Sequence, residues 1–208
     1  MNLTAERTAL IVIDMQNSFC TPDGLLGTIG FNLEPLIAAV EPCRRLIDAA
    51  HAVSLPVIYT RYVFRKDYAD GGMLAKLVPD MERVGALAEG TPDMEIVDAL
   101  PVVDSDYIVD KNRPSAFYAT DLETLLHGLD IKRLVVCGVT TNCCVETTVR
   151  DASQRDYETF IVEDAVGEVD PERHSVALKA MSFLFGKLVT VDEVISAWQT
   201  AKREPTAA

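Results

Sequence analysis

The sequence predicts an α/β protein. It should hold a doubly wound, mainly parallel sheet of six strands in the order 3-2-1-4-5-6, with helices on both faces. Three observations lead there. Apolar runs of strand length recur without the alternation of a half-exposed sheet, as strands buried on both faces require. Helical periodicities lie between the runs, which makes the sheet parallel and wraps it on two sides. The 208 residues, 49% hydrophobic and 25% charged, suit one domain whose core needs no metal or disulfide to fold.

The first strand is read at residues 9–13 and stops at Asp14. Leu33, Leu36, Ile37, Val40, Cys43, Ile47 and Ala50 then recur at helical spacing. Pro42 lies inside that pattern, so the helix must kink or restart there. Residues 56–60 give the second strand. The longest interruption follows, residues 61–106, with Gly71-Gly72 and a helical pattern over 94–100. An insertion of that length at a strand end suits a lid, a binding loop or a subunit interface.

The third strand, 107–109, leads into Asp110-Lys111. Thr120-Asp121-Leu122-Glu123 reads as a capping box opening a helix over 122–127 that Gly128 ends. The fourth strand, 134–138, runs into a turn ending in Cys143-Cys144. The helix beyond it, towards Asp156, would be capped by Thr141 or Asn142. Residues 159–162 form the fifth strand, and Asp170-Pro171 starts a helix with a cap and a first-turn proline. The sixth strand, 187–190, ends where Thr190-Val191-Asp192-Glu193 caps the last helix. The domain is read as residues 1–200, and 201–208 as a frayed polar tail.

With 19 Lys and Arg against 32 Asp and Glu, the net charge is −13. The basic pairs Arg44-Arg45 and Lys132-Arg133 stand apart, so neither nucleic acid nor an anionic membrane is an expected partner. No apolar run approaches the ~18 residues of a membrane span, and residues 1–7 have no signal-like apolar core. A cytoplasmic protein is expected. The five cysteines, Cys20, Cys43, Cys137, Cys143 and Cys144, are odd in number and form no Cys-x-x-Cys, which fits reduced thiols. His51, His127 and His174 form no close metal-ligand pair. No metal and no cofactor are expected.

In a doubly wound sheet, ligands bind beyond the carboxyl ends of the strands, where the strand order reverses. Asp14, Lys111 and Cys144 stand at or beyond three such ends. Each alone has an ordinary explanation: a turn residue, a solvated cation, a small buried hydrophobe. Together they supply a proton acceptor, a cation and a nucleophile. In the first turn of a helix, Cys144 would meet a dipole and free N–H groups that favour a thiolate and hold an oxyanion. Cys143 points about 100° away on such a helix and is assigned to packing.

The segments Asp14-Met15-Gln16-Asn17-Ser18-Phe19, Lys111-Asn112-Arg113-Pro114-Ser115-Ala116-Phe117 and residues 138–152, Gly-Val-Thr-Thr-Asn-Cys-Cys-Val-Glu-Thr-Thr-Val-Arg-Asp-Ala, carry a resemblance. They look like the three signature blocks of the isochorismatase-like cysteine hydrolases, and the likeness runs over residues 8–198. It implies a triad of Asp14, Lys111 and Cys144. It also implies a cis peptide between Val139 and Thr140, and an oxyanion hole from the N–H groups of Thr140 and Cys144. Nicotinamidases of this family bind a metal through an Asp-x-His motif after the second strand. Here that region reads Thr60-Arg61-Tyr62-Val63-Phe64-Arg65-Lys66-Asp67, with no histidine. Isochorismatases proper lack the cysteine. The nearest members are then the ureidoacrylate, N-carbamoyl and biuret-type amidohydrolases, which act on small linear amide or ureido compounds, and a homodimer or homotetramer is implied.

Around the triad, Arg61, Arg65, Lys66 or Arg113 are candidates to hold a substrate carboxylate. Phe19 and Phe117 are candidate pocket walls, and Gln16 a candidate to orient Asp14 or the substrate. Other readings are a non-catalytic binding or regulatory relative, a metal-dependent nicotinamidase-type amidase, and a thiol redox protein using Cys143 and Cys144. The last would need a strained ring between adjacent cysteines.

Overall fold

The computed structural model describes residues 2–201. Six parallel strands, β1 (Thr8–Ile13), β2 (Val57–Tyr62), β3 (Tyr107–Lys111), β4 (Arg133–Val139), β5 (Glu158–Gly167) and β6 (Lys187–Val189), pair in the order β3-β2-β1-β4-β5-β6. The chain starts in the middle, winds outward one way to β3, then crosses back to β4. The order therefore reverses between β1 and β4, and a crevice opens beyond their carboxyl ends.

The continuous apolar runs are explained by burial on both faces. Ala9, Ile11 and Ile13 of β1 face one core, and Leu10 and Val12 the other. The helices are α1 (Asn17–Cys20), α2 (Leu25–Thr28), α3 (Glu34–Ala38), α4 (Val40–Ala52), α5 (Gly72–Leu77), α6 (Asp80–Val84), α7 (Leu122–Gly128), α8 (Glu146–Ser153), α9 (Pro171–Leu184) and α10 (Val191–Ala201). Helices α4 and α10 cover the second core with Cys43, Leu46, Ile47, Val194 and Trp198. Helices α7, α8 and α9 cover the first with Leu122, Leu126, Val149, Ala152, Ala177 and Met181.

Several local expectations shift. The expected break at Pro42 comes earlier, between α3 and α4 at Ala39. Pro42 thereby falls in the first turn of α4, where the N–H it lacks would have no intrahelical partner. The Thr120–Glu123 box does not close. Thr120 Oγ1 accepts from the Leu122 N–H at 3.3 Å, while Glu123 turns to Arg155 at 3.2 Å. The Thr190 box does close: the Thr190 N–H reaches Glu193 Oε2 at 2.8 Å, and the Glu193 N–H reaches Thr190 Oγ1 at 3.3 Å. Asp170 caps α9 by accepting from the Arg173 N–H at 2.8 Å.

No α-helix forms over 94–100. A short 3₁₀ turn, Pro92–Met94, is followed by chain that returns to the segment after β1. There the Val97 N–H bonds Met15 O at 3.0 Å, a non-local pairing that overrides the helical spacing. Strand β5 runs past its apolar stretch to Gly167 through a register shift opposite β4. Ala201 closes α10, and the rest of the expected tail, 202–208, lies outside the described residues.

Gly138 fixes the approach of β1 to β4. Its φ is +111°, and a Cβ there would lie 2.1 Å from Ile13 O. Only glycine fits beside the strand end that presents Asp14.

Candidate active site

Asp14 follows directly on β1 and is wholly buried, with φ at +48°. A non-glycine residue in that region is uncommon and marks a constrained position. The constraint comes from the neighbouring strand. The Asp14 N–H reaches Thr60 O and Thr60 Oγ1, each at 3.2 Å, and Thr60 Oγ1 donates to Asp14 Oδ1 at 2.6 Å. Thr60 thus fixes both the backbone and the carboxylate, a role its place in an ordinary strand pattern does not signal.

The other carboxylate oxygen, Oδ2, accepts from Lys111 Nζ at 2.6 Å, with both side chains fully shielded from solvent. Lys111 ends β3, in register with Tyr62. Its ammonium lies 4.1 Å from the centre of the Tyr62 ring and donates to Arg113 O at 3.2 Å. Burial works against the ammonium. The neighbouring Asp14 and Cys144 outweigh it and hold the Lys111 pKa above the ordinary lysine value.

Beyond β4 the Val139–Thr140 peptide is cis. The chain then enters a π-helical turn, Thr141–Val145, before α8. Thr140 occupies the cap position, and its carbonyl accepts from the Cys143 and Val145 N–H groups at 3.2 Å each. This corrects the expected cap. Neither Thr141 nor Asn142 caps the helix; Thr141 Oγ1 lies 2.9 Å from His174 Nδ1 of α9 instead. The wide turn puts Cys144 against Lys111, and π-turns of this kind are frequent at functional sites.

Cys143 is partly buried and packs against the first core. The neighbouring Cys143 thiol, then burial and the nearby Asp14, push the Cys144 pKa well above the usual thiol value, against the opposing pull of Lys111. The neighbouring Cys144 lowers that of Cys143. Charge balance works in the same direction: one carboxylate and one ammonium already compensate each other, and a thiolate beside them would leave an uncompensated buried charge. These influences oppose the thiolate that a helix dipole alone favours.

The other candidates separate. Gln16 is buried, but Nε2 donates to Tyr62 O at 3.0 Å and Met94 O at 2.8 Å, and Oε1 accepts from the Tyr62 N–H at 2.7 Å. It pins β2 to the returning segment and is not free to orient Asp14 or a substrate. Gln16→Leu should cost roughly 1–3 kcal/mol for each buried group left unpaired, read as a lower denaturant midpoint. Arg61 points to the opposite side from Tyr62, bound to both Asp110 oxygens at 2.7 and 2.9 Å, so its guanidinium already holds a carboxylate. Arg65 is exposed and pairs with Asp67 at 3.3 Å. Phe117 stacks on Tyr157, 5.9 Å between ring centres, and under Arg155. Tyr157 precedes β5, so Phe117 belongs to the core towards the amino end of the sheet rather than to a pocket wall. Phe19, partly buried, packs between the two cores. Arg113 stays beside Lys111 through the carbonyl that receives its ammonium, while Arg113 Nη1 is held by Asp70 O at 2.8 Å and Asn112 O at 2.5 Å.

Among the described residues no group of three or more His, Cys, Asp or Glu side chains is placed to hold a metal ion. No described helix is long and apolar enough to cross a membrane.

A family model for the isochorismatase domain matches residues 8–193. The chain belongs to the isochorismatase family. Within it, the chain is 32% identical to the ureidoacrylate amidohydrolase RutB of Azorhizobium caulinodans, over 92% of this chain and 90% of that protein. A cysteine hydrolase from Pseudomonas syringae pv. phaseolicola superimposes with a TM-score of 0.87 at 35% identity, covering 97% of this chain and 95% of that one. The N-carbamoylsarcosine amidase of Thermoplasma acidophilum gives 0.71 at 26% identity, over 89% and 96% of the two chains. The isochorismatase family is hydrolytic, and this member carries an acid, an amine and a thiol at its crevice.

Proposed function

We propose that this isochorismatase-family enzyme cleaves a C–N bond of a small linear amide or ureido compound, with Cys144 as nucleophile. The buried contact of Lys111 with Asp14 at 2.6 Å, with Cys144 near enough to act on the Lys111 charge, carries the reading. Cys144 attacks the carbonyl carbon as its proton passes to Asp14. The sulfur electron pair forms the C–S bond and the carbonyl π pair moves to oxygen, so a carboxylate with a thiol is exchanged for a carboxylic acid with an oxyanion and the net charge of the site is unchanged. The N–H groups of Thr140 and Cys144 would hold the carbonyl oxygen as it becomes an oxyanion. Asp14 returns the proton to the departing nitrogen, then takes one from the water that hydrolyses the acyl-enzyme.

The names of the relatives support this chemistry, since a ureidoacrylate amidohydrolase and an N-carbamoylsarcosine amidase both act on amide-type C–N bonds. A screen for released ammonia or amine over small amides, ureido acids and biuret tests it. Turnover of at least one, abolished in Cys144→Ala with folding intact, is expected; no turnover of any would refute it. Exhaustive chelation should leave the rate unchanged, because no Asp-x-His motif follows β2. A rate restored only by added zinc or manganese would contradict that.

A further inference from the structure

Two segments of chain leave neighbouring strands at the crevice, and a hydrogen bond joins them. The first leaves β4 and carries the π-helical turn with Cys144. The second leaves β5, whose last residue Gly167 is in register with Val139, and runs into α9. The bond lies between Thr141 Oγ1 and His174 Nδ1 at 2.9 Å.

Thr141 is wholly buried and opens the turn. Its carbonyl accepts from the Glu146 N–H, where α8 begins. So wide a turn is rare beside the tighter α-helical one, and a contact from outside helps to favour it. Thr141 directly follows Thr140, and Cys144 stands three residues further on. These are the two residues whose N–H groups are assigned to the oxyanion. A shift of Thr141 would change the spacing of both groups, and the place of the sulfur relative to Asp14 and Lys111.

His174 meets Thr141 from a fixed support. It lies in the first turn of α9, where its N–H donates to Asp170 O at 3.0 Å. Asp170 also caps the helix through the Arg173 N–H, and Arg173 Nη2 reaches the nearly inaccessible Glu168 at 3.0 Å. Glu168 follows directly on β5. Ala177 and Met181, on the same face of α9 as His174, anchor that face in the first core. The imidazole can accept from the Thr141 hydroxyl or donate to it, so the link survives either tautomer.

We propose that His174 is a positioning residue for the nucleophile. Through Thr141 it fixes the turn, so that the Cys144 sulfur and the N–H groups of Thr140 and Cys144 meet the substrate carbonyl together. This rests on the cysteine hydrolase reading. Geometry of this kind counts in the transition state and lowers kcat more than it alters KM. A misplacement of about 1 Å is enough to cost ~10²-fold in rate.

His174→Phe keeps a ring and removes Nδ1, and Thr141→Val removes the hydroxyl. On the compound turned over fastest in the amide screen, each should lower kcat at least tenfold and leave KM within twofold. The double variant should be no slower than the slower single one, because both cut the same link. His174→Asn, whose amide can take the place of Nδ1, and Thr141→Ser should recover most of the rate. A second readout needs no substrate: the rate constant for iodoacetamide at Cys144, followed by mass spectrometry on folded protein. It should change at least threefold in His174→Phe and in Thr141→Val, and stay near wild type in the Asn and Ser variants. Unchanged kcat and alkylation in the folded variants, additive losses in the double variant, or a loss in Thr141→Ser equal to that in Thr141→Val would overturn the proposal. Should His174→Phe not fold, the Val and Ser variants of Thr141 carry the same comparison. If no compound is turned over, the hydrolytic reading fails, and the alkylation rates alone decide the role of His174.

Discussion

Lys111→Met should lower the rate of the chemical step at least ~10²-fold, the scale of acid–base contributions, and destabilise the fold by about 3–5 kcal/mol. The second figure is the usual cost of removing one partner from a buried ion pair, because the Asp14 carboxylate is left without its 2.6 Å ammonium. Methionine keeps much of the stem, so lost packing is the smaller part. The two effects have different pH signatures. The Lys111 pKa is raised above 10.5 in the folded protein. Its stabilisation is therefore complete below about pH 10.5 and fades as pH rises through the folded value. The stability gap between wild type and variant should stay constant through neutral pH and close only in strong alkali. Alkylation of Cys144 should become slower still, since Lys111 is the group that pulls the thiol pKa down. A variant with wild-type turnover and an unchanged alkylation profile would show that the lysine is a bystander.

The second large effect is expected at Asp14. Asn in its place retains the shape and an acceptor for Thr60 Oγ1, which now donates at 2.6 Å, but cannot take the thiol proton. Turnover of an amide should fall by more than ~10², because both the attack and the departure of nitrogen need that proton. An activated ester, whose leaving group departs without one, should lose markedly less. Steady-state kinetics on the two substrate types would give this ratio. Equal losses on both would mean that Asp14 serves the attack alone or only supports the fold.

The strands were legible because a strand buried on both faces writes its length as an apolar run. The places of Asp14, Lys111 and Cys144 were legible because they stand at or just beyond the ends of such runs: Asp14 after β1, Lys111 closing β3, Cys144 past β4. Thr60 was not, since a threonine in a strand is ordinary until its hydroxyl is seen on Asp14. Gln16 and Arg61 were misassigned because their partners, the Met94 carbonyl and Asp110, come from distant chain brought close by the insertion and by strand register. The helix dipole at Cys144 was legible, but the opposing influences of Cys143, burial and Asp14 come from packing and were not.

The central claim is that sulfur of Cys144 carries the acyl group. Enzyme quenched during turnover of a slow substrate, digested and weighed by mass spectrometry, tests it most directly. An acyl mass on Cys144 is expected, gone in Cys144→Ala together with turnover. An adduct on Cys143, or full activity in Cys144→Ala, would contradict it.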